Sequence, residues 1–213
     1  MREALDPGRR GCDMRRMTEI APLAPRPDVQ DFLATRRSRP AKTLRAPAPD
    51  RAALAPLLEA ALRVPDHGKL EPWRLVVLEG GALGRLAGLT TEVGTAQGRD
   101  AEKLPKNAAM FADAPLIVAV VSSPAASEKV PQVEQTLSAG AVCLSLVNAA
   151  QAAGWGANWL TGWMAYDRPF LETGLDLAAS EWVAGWIVIG TEGPVPPDRP
   201  RPDPAAKVAW ISE

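Results

Sequence analysis

Two continuous apolar runs, residues 116–121 and 182–189, restrict what this chain can fold into. Each is far shorter than the ~20 residues that span a bilayer. The first is dominated by Ile and Val and shows no polar alternation. That pattern belongs to a strand covered on both faces, since a strand with one wet face alternates apolar and polar side chains. Helices must therefore cover the sheet that holds these strands. The supply of helices is ample. Asp50 can cap a helix whose Leu54, Leu57, Leu58, Ala61 and Leu62 form one apolar stripe. Pro56 interrupts that stripe and predicts a kink or a later start. Val64-Pro65 ends the helix, residues 74–79 read as a strand, and Gly80-Gly81 breaks it.

Helices are then predicted over 82–94 and 100–112. Pro131 opens a long helix to Ala153, with Gly154 as its cap. Residues 155–162 read as irregular, 167–173 as a short helix, and 193–204 as extended. Near the start, Val29, Phe32 and Leu33 share a helical face that ends before Arg36. Helices outnumber strands without strict β-α-β alternation, so the predicted fold is α+β, one sheet covered by helices. Residues 1–27 read as a flexible arm, with Met14 and Met17 as alternative starts, and 28–213 as a single domain. Within the long helix, Ser138-Ala139-Gly140-Ala141 is unusual, because interior glycine costs ~1 kcal/mol against alanine. Close approach of another element would offset that cost, either in the core or across an interface between two copies.

Composition narrows the function. With 24 basic and 25 acidic residues the formal net charge is −1, which gives no basic surface for nucleic acid. No apolar leader or membrane span is legible, so a cytoplasmic protein is expected. Cys12 and Cys143 do not suggest a disulfide framework. His67 is the sole histidine, and with two distant cysteines it makes no zinc site of the usual spacing. No metal is expected.

Three segments carry chemistry. Arg36, Arg37 and Ser38 offer two guanidinium forks and a hydroxyl suited to phosphate; the alternative is a solvated basic helix end. Residues 63–73 pack Arg63, Asp66, His67, Lys69 and Glu71 between two prolines in a helix-to-strand connection, where binding residues concentrate. A hydrolytic Asp66–His67 dyad is disfavoured, since no Gly-x-Ser-x-Gly elbow supplies a nucleophile. In residues 154–162, Trp155 and Trp159 fit a helical stripe with Trp163. The three interspersed glycines instead favour tight backbone approach to a flat ring system beside indoles. Neither a dinucleotide fingerprint nor a P-loop is present.

An Arg-Arg-Ser after the first helix, an Arg-x-Pro-Asp-His…Pro-Trp loop, a central Ser-Ala-Gly helix, a Trp-x-Thr-Gly turn and a terminal Gly-Thr strand occur in this order. The set resembles the FMN-dependent NAD(P)H nitroreductase family in its small, single-module branch, from about Asp28 onward. The resemblance implies a nitroreductase-like sandwich with a mostly antiparallel sheet, built as an intertwined homodimer with FMN shared at the interface. Arg36, Arg37 and Ser38 would hold the phosphate and ribityl chain, Arg63 and His67 would reach in from the partner, and Trp159, Leu160 and Thr161 would lie along the flavin. The helix end Ala149, Ala150, Gln151, Ala152, Ala153 and Gly154 matches a segment associated with NAD(P). The chain departs from similar proteins at Gly68, where Lys is frequent, at Glu71, where Gln is, and at Leu160, where Arg is. Lys69 can substitute for the missing lysine. Arg63 or Lys69 is the candidate cation at the flavin N1–C2 edge. The implied activity is ping-pong transfer of hydride from NADH or NADPH, through FMN, to an electron-poor acceptor such as a nitroaromatic or quinone. The flavin carries the chemistry, so no catalytic side chain is obligatory. Competing readings are a dehalogenase, dehydrogenase or flavin-degrading enzyme on the same fold, a non-enzymatic flavin-binding module, and a structural dimer without flavin.

Overall fold

A computed structural model describes residue 20 and residues 22–213. Cys12, Met14, Met17 and most of the proposed arm lie outside the described residues. Backbone contacts group residues through Thr35 into one unit and Arg36–Glu213 into another. The first unit holds α1 (Pro27–Thr35), none of whose residues is buried.

The second unit is built on a sheet of four strands, β1 (Trp73–Leu78), β2 (Ile117–Ser122), β3 (Gly156–Leu160) and β4 (Trp182–Gly190). Their spatial order is β1-β2-β4-β3 and every pairing is antiparallel. All of β2 is buried, as its composition demanded. Alternate residues feed two cores. Ile117, Ala119, Val121, Trp186 and Val188 pack with α3 (Gly81–Ala96), α4 (Leu104–Ala112) and α6 (Arg168–Leu175). Val118, Val120, Ile187 and Ile189 pack on the opposite face with α2 (Arg51–Ala61) and α5 (Gln132–Ala152).

Local signals act where they were read. Asp50 accepts the Ala53 N–H at 2.8 Å and starts α2. Asp167 accepts the Phe170 N–H at 3.0 Å and starts α6. Gly154 takes a φ of 85° just beyond the end of α5, a conformation other side chains resist. Three expectations need correction. The Pro56 helix starts at Arg51 and runs through the proline; Pro56 and Ala52 are exposed, so water can satisfy the carbonyl that lacks its N–H partner. α4 begins at Leu104 rather than 100, because the Asp100 side chain accepts from Glu102 N and closes a separate turn first. Residues 155–162 are not irregular: 156–160 form β3, the edge strand beside β4.

Tertiary contacts explain β3. In β4, Gly185 pairs with Val120 and Val183 with Val121, which leaves Ala184 as the extra residue of a bulge. The Trp159 indole donates to the Ala184 carbonyl at 3.1 Å and lies over Gly185. A Cβ at 185 would stand 2.3 Å from Trp159 Nε1 and 2.8 Å from Cys143 Sγ. An aromatic ring thus fills the place of an absent strand side chain. Gly185→Ala is expected to destabilise the fold by about 1–3 kcal/mol, the usual cost of overpacking, read as a lower denaturation midpoint with the slope unchanged.

Glu181 anchors the start of β4. Its carboxylate takes a bidentate pair from Arg74 at 2.7 and 2.9 Å and the Ala178 N–H at 3.0 Å. The Arg74 hydrogen bond, foremost, holds this carboxyl down at about 2, against an ordinary 4.5. A depressed carboxylate contributes stability that is present above its unfolded value and lost as pH falls through the folded one. The melting temperature is therefore expected to fall between about pH 4.5 and 2, and Glu181→Gln should flatten that part of the profile while lowering stability at neutral pH.

Candidate active site

Residues 36–39 run beside the free edge of β3. The Arg39 N–H donates to the Ala157 carbonyl at 3.0 Å, and Asn158 Nδ2 donates to the Arg39 carbonyl at 2.7 Å. Here Arg36, Arg37 and Ser38 form a cradle. Arg36 donates to Ser38 Oγ at 3.2 Å and to Gln151 Oε1 at 3.3 Å. Arg37 donates to the Ser38 carbonyl at 3.1 Å, while its Nε is buried without a partner. Burial first, then the like charges of Arg201, Arg39 and Arg37, lower the Arg36 pKa. Arg39 pairs with Glu192, and Arg201 with Asp198 at 2.9 Å. No carboxylate pairs with Arg36 or Arg37 among the described residues. Excess positive charge with an orphan donor is an arrangement chemically suited to an anion.

Three residues further along β3, at Leu160 and about 10 Å at strand rise, the same edge meets a cavity of about 320 Å³ bounded by Leu160 and Thr161 on one side. Lys42, Lys106, Asn107 and Met110 face them. Trp159 points to the other face of the sheet, against α5. Its ring lies 3.8 Å from where a Cβ of Gly140 would stand.

The remaining candidates lie elsewhere. Arg63, His67 and Lys69 are exposed. His67 Nδ1 meets Glu134 Oε2 at 2.6 Å, and Ser138 Oγ donates to the Pro65 carbonyl at 2.7 Å. Trp73 Nε1 donates to Ser138 Oγ at 3.0 Å. The loop is thus tied to the N-terminal half of α5. Gly68, Lys69 and Glu71 all have positive φ, at 75°, 55° and 47°. Asp66 makes this possible by accepting the Leu70 and Glu71 N–H groups at 3.2 and 2.8 Å. Left-handed backbone at two non-glycine residues costs of order 1–3 kcal/mol each, a strain typical of ligand-holding loops.

The predicted residues therefore form two groups. Glu134 holds one and Gln151 the other, and those positions on α5 are separated by about 25 Å of helix at ~1.5 Å per residue. Of residues 149–154, Ala150 is buried, Ala149 and Gln151 are half-buried, and 152–154 are exposed. Sequence reasoning missed Lys42, Lys106, Asn107 and Arg201, which long-range folding brings to the site. No motif marks them. Cys143 is no redox candidate, since burial pushes its thiol up to about 12. Among the described residues no His, Cys, Asp and Glu cluster could hold a metal, and no helix is long and apolar enough to cross a membrane.

An antiparallel sheet between two helical layers, with an arginine cradle along its edge, defines an α+β sandwich. The chain belongs to the nitroreductase family, whose model matches residues 33–191. It is 32% identical over 164 residues to the Escherichia coli (strain K12) protein YdjA, named "Putative NAD(P)H nitroreductase", covering 77% of this chain and 88% of that one. A Haemophilus influenzae protein of the same designation is 36% identical over 166 residues, with the same coverage of each. Among solved structures, a nitroreductase-like family protein from Bacillus cereus superposes with a TM-score of 0.75 at 21% identity, covering 91% of this chain and 99% of that one. An FMN-dependent nitroreductase from Clostridium difficile R20291 superposes with a TM-score of 0.59 at 19% identity, covering 84% and 96%.

Proposed function

We propose that the chain is an FMN-dependent NAD(P)H oxidoreductase that acts as a homodimer, each FMN being held by residues of both chains. The separation of the two residue groups along α5 carries this reading. The arginine cradle and the loop are held about 25 Å apart along the same helix. A second copy packed with its α5 antiparallel brings the Glu134 end of one helix to the Gln151 end of the other, as two-fold symmetry allows. An exposed apolar face on α5 supports that contact. Val133, Leu137 and Leu144 are 63%, 67% and 47% exposed on α5, and Gly140 and Ala141 lie between the two leucines. Within its own chain Gly140 meets only an ordinary contact at 3.8 Å, so nothing there requires glycine, whereas close approach of a second helix would.

The cradle fits a phosphate through Arg36, Arg37, Ser38 and Arg201, with the unpartnered Arg37 Nε as a free donor. Leu160 and Thr161 flank the ring, with Trp159 on the opposite face of β3, and Lys42, Lys106 and Asn107 can donate to its polar edge from the same cavity. Arg63, His67 and Lys69 complete the site from the partner. When bound, FMN supplies the redox centre, accepting hydride from NADH or NADPH and reducing an electron-poor acceptor such as a nitroaromatic or quinone. The protein's own contribution is to bind and orient the cofactor and to offset its negative charge. The names of the similar proteins, including the FMN-dependent one, support the same reading.

The test is the visible spectrum after FMN addition and desalting, followed by anaerobic NADH and then NADPH. Retained flavin bands that bleach are expected. Bands retained but not bleached would refute the reductase reading, and a colourless protein would refute the cofactor.

A further inference from the structure

Gln151, on the last turn of α5, is engaged on three sides. Its Oε1 accepts from Arg36 Nε at 3.3 Å. Its Nε2 donates to the Arg37 carbonyl at 3.0 Å and to the Ala157 carbonyl at 3.2 Å. The Ala157 carbonyl also receives the Arg39 N–H. One amide thus joins a helix end, a strand edge and the arginine segment. Its partners fix its orientation, since only the NH₂ can face two carbonyls and only the oxygen can face a guanidinium.

We propose that Gln151 is a positioning residue that aims the Arg36 guanidinium at the ligand's phosphate, and that its neutral amide sets the preference for FMN over riboflavin. The inference rests on the reading of the cradle as a flavin-phosphate site. Arginine carries a long stem with ~2 kcal/mol of rotamer entropy. A guanidinium already held at Nε and at Ser38 has less freedom to lose when the phosphate arrives. The neutrality of the bracket is as important as its shape. A carboxylate at 151 would pair with Arg36, compete with the phosphate and repel it. It would also leave the Arg37 and Ala157 carbonyls without their donor. An amide orients the cation without cancelling its charge. Both donors of Gln151 serve the cradle, so within the segment 149–154 this side chain acts on the flavin phosphate rather than on a nicotinamide.

The experiment compares FMN with riboflavin, which lacks only the phosphate. Flavin is stripped from wild type, Gln151→Met, Gln151→Glu and Arg36→Ala. Each is titrated with both ligands by flavin fluorescence, and the apo melting temperature is recorded. The expected result is an FMN affinity lower by about tenfold in Gln151→Met, equivalent to about 1.4 kcal/mol, and lower still in Gln151→Glu. Riboflavin affinity should stay within about twofold, since neither variant touches the ring. Equal losses for both ligands, following the melting temperature, would overturn the proposal by showing a merely structural role. Unchanged FMN affinity would overturn it too. A wild type that binds FMN no better than riboflavin would refute the cradle as a phosphate site. A wild type that prefers FMN, beside variants that keep the preference, would refute Gln151 alone.

Discussion

Leu137→Asp combined with Leu144→Asp is expected to leave a folded monomer that holds no FMN. Leu137 and Leu144 lie one helical repeat apart on α5, two-thirds and about half exposed, with Gly140 and Ala141 between them. In the single chain they touch little, so charge there costs the monomer almost nothing. In a helix-to-helix interface each aspartate would be buried without a partner, at several kcal/mol apiece. Even about 4 kcal/mol, a fraction of that total, weakens dimerisation roughly 1,000-fold, enough to separate the chains at micromolar concentration. Sedimentation and the flavin absorbance of the same fractions would show both effects. A variant that stays dimeric, or a monomer that keeps its FMN, would contradict the shared site.

Arg36→Ala is expected to lower FMN affinity by roughly 100-fold, because truncating one partner of a hydrogen-bonded charge pair costs about 2–5 kcal/mol. The guanidinium is half-buried, has no carboxylate partner among the described residues, and is held by Ser38 and Gln151. Its loss should leave the fold and the dimer intact, since no core contact depends on it. Isothermal titration with FMN, beside a melting curve, separates these possibilities. Lost affinity with unchanged melting is expected, and unchanged affinity would remove Arg36 from the cradle.

What the sequence made legible was local. Asp50 and Asp167 announced helix starts through their own side chains, Gly154 ended α5 through its backbone, and the apolar run at 116–121 could only be a covered strand. The Arg36-Arg37-Ser38 segment was a visible candidate because its donors are contiguous. The failures at and around the site share one cause, contacts between residues distant in the chain. β3 was hidden because Gly156 and the flanking Gly154 and Gly162 weaken any local preference, and what makes it a strand is Trp159 lying over Gly185 on β4. That Gln151, Arg201, Lys106 and Asn107 lie near the candidate site appears only when α5, the C-terminal segment and α4 converge on the β3 edge. The division of the candidate residues into two groups was implied by the family resemblance and by no local signal; in the fold, His67 and Arg36 are tied to opposite ends of one helix.

That division is tested most directly by complementation between two defective chains. One carries Arg36→Glu, which disables its cradle. The other carries Arg63→Ala and His67→Ala, which disable its loop. Each variant alone is expected to lose FMN. Mixed dimers, isolated after co-expression through two different affinity tags, would contain one site with both halves defective and one with both halves intact. They are expected to hold about one FMN per pair of chains, as two-fold exchange of halves requires, and to bleach with the reductant that bleaches wild type. Mixed dimers as colourless as their parents would mean that cradle and loop of the same chain serve the same flavin, and the shared site would be wrong.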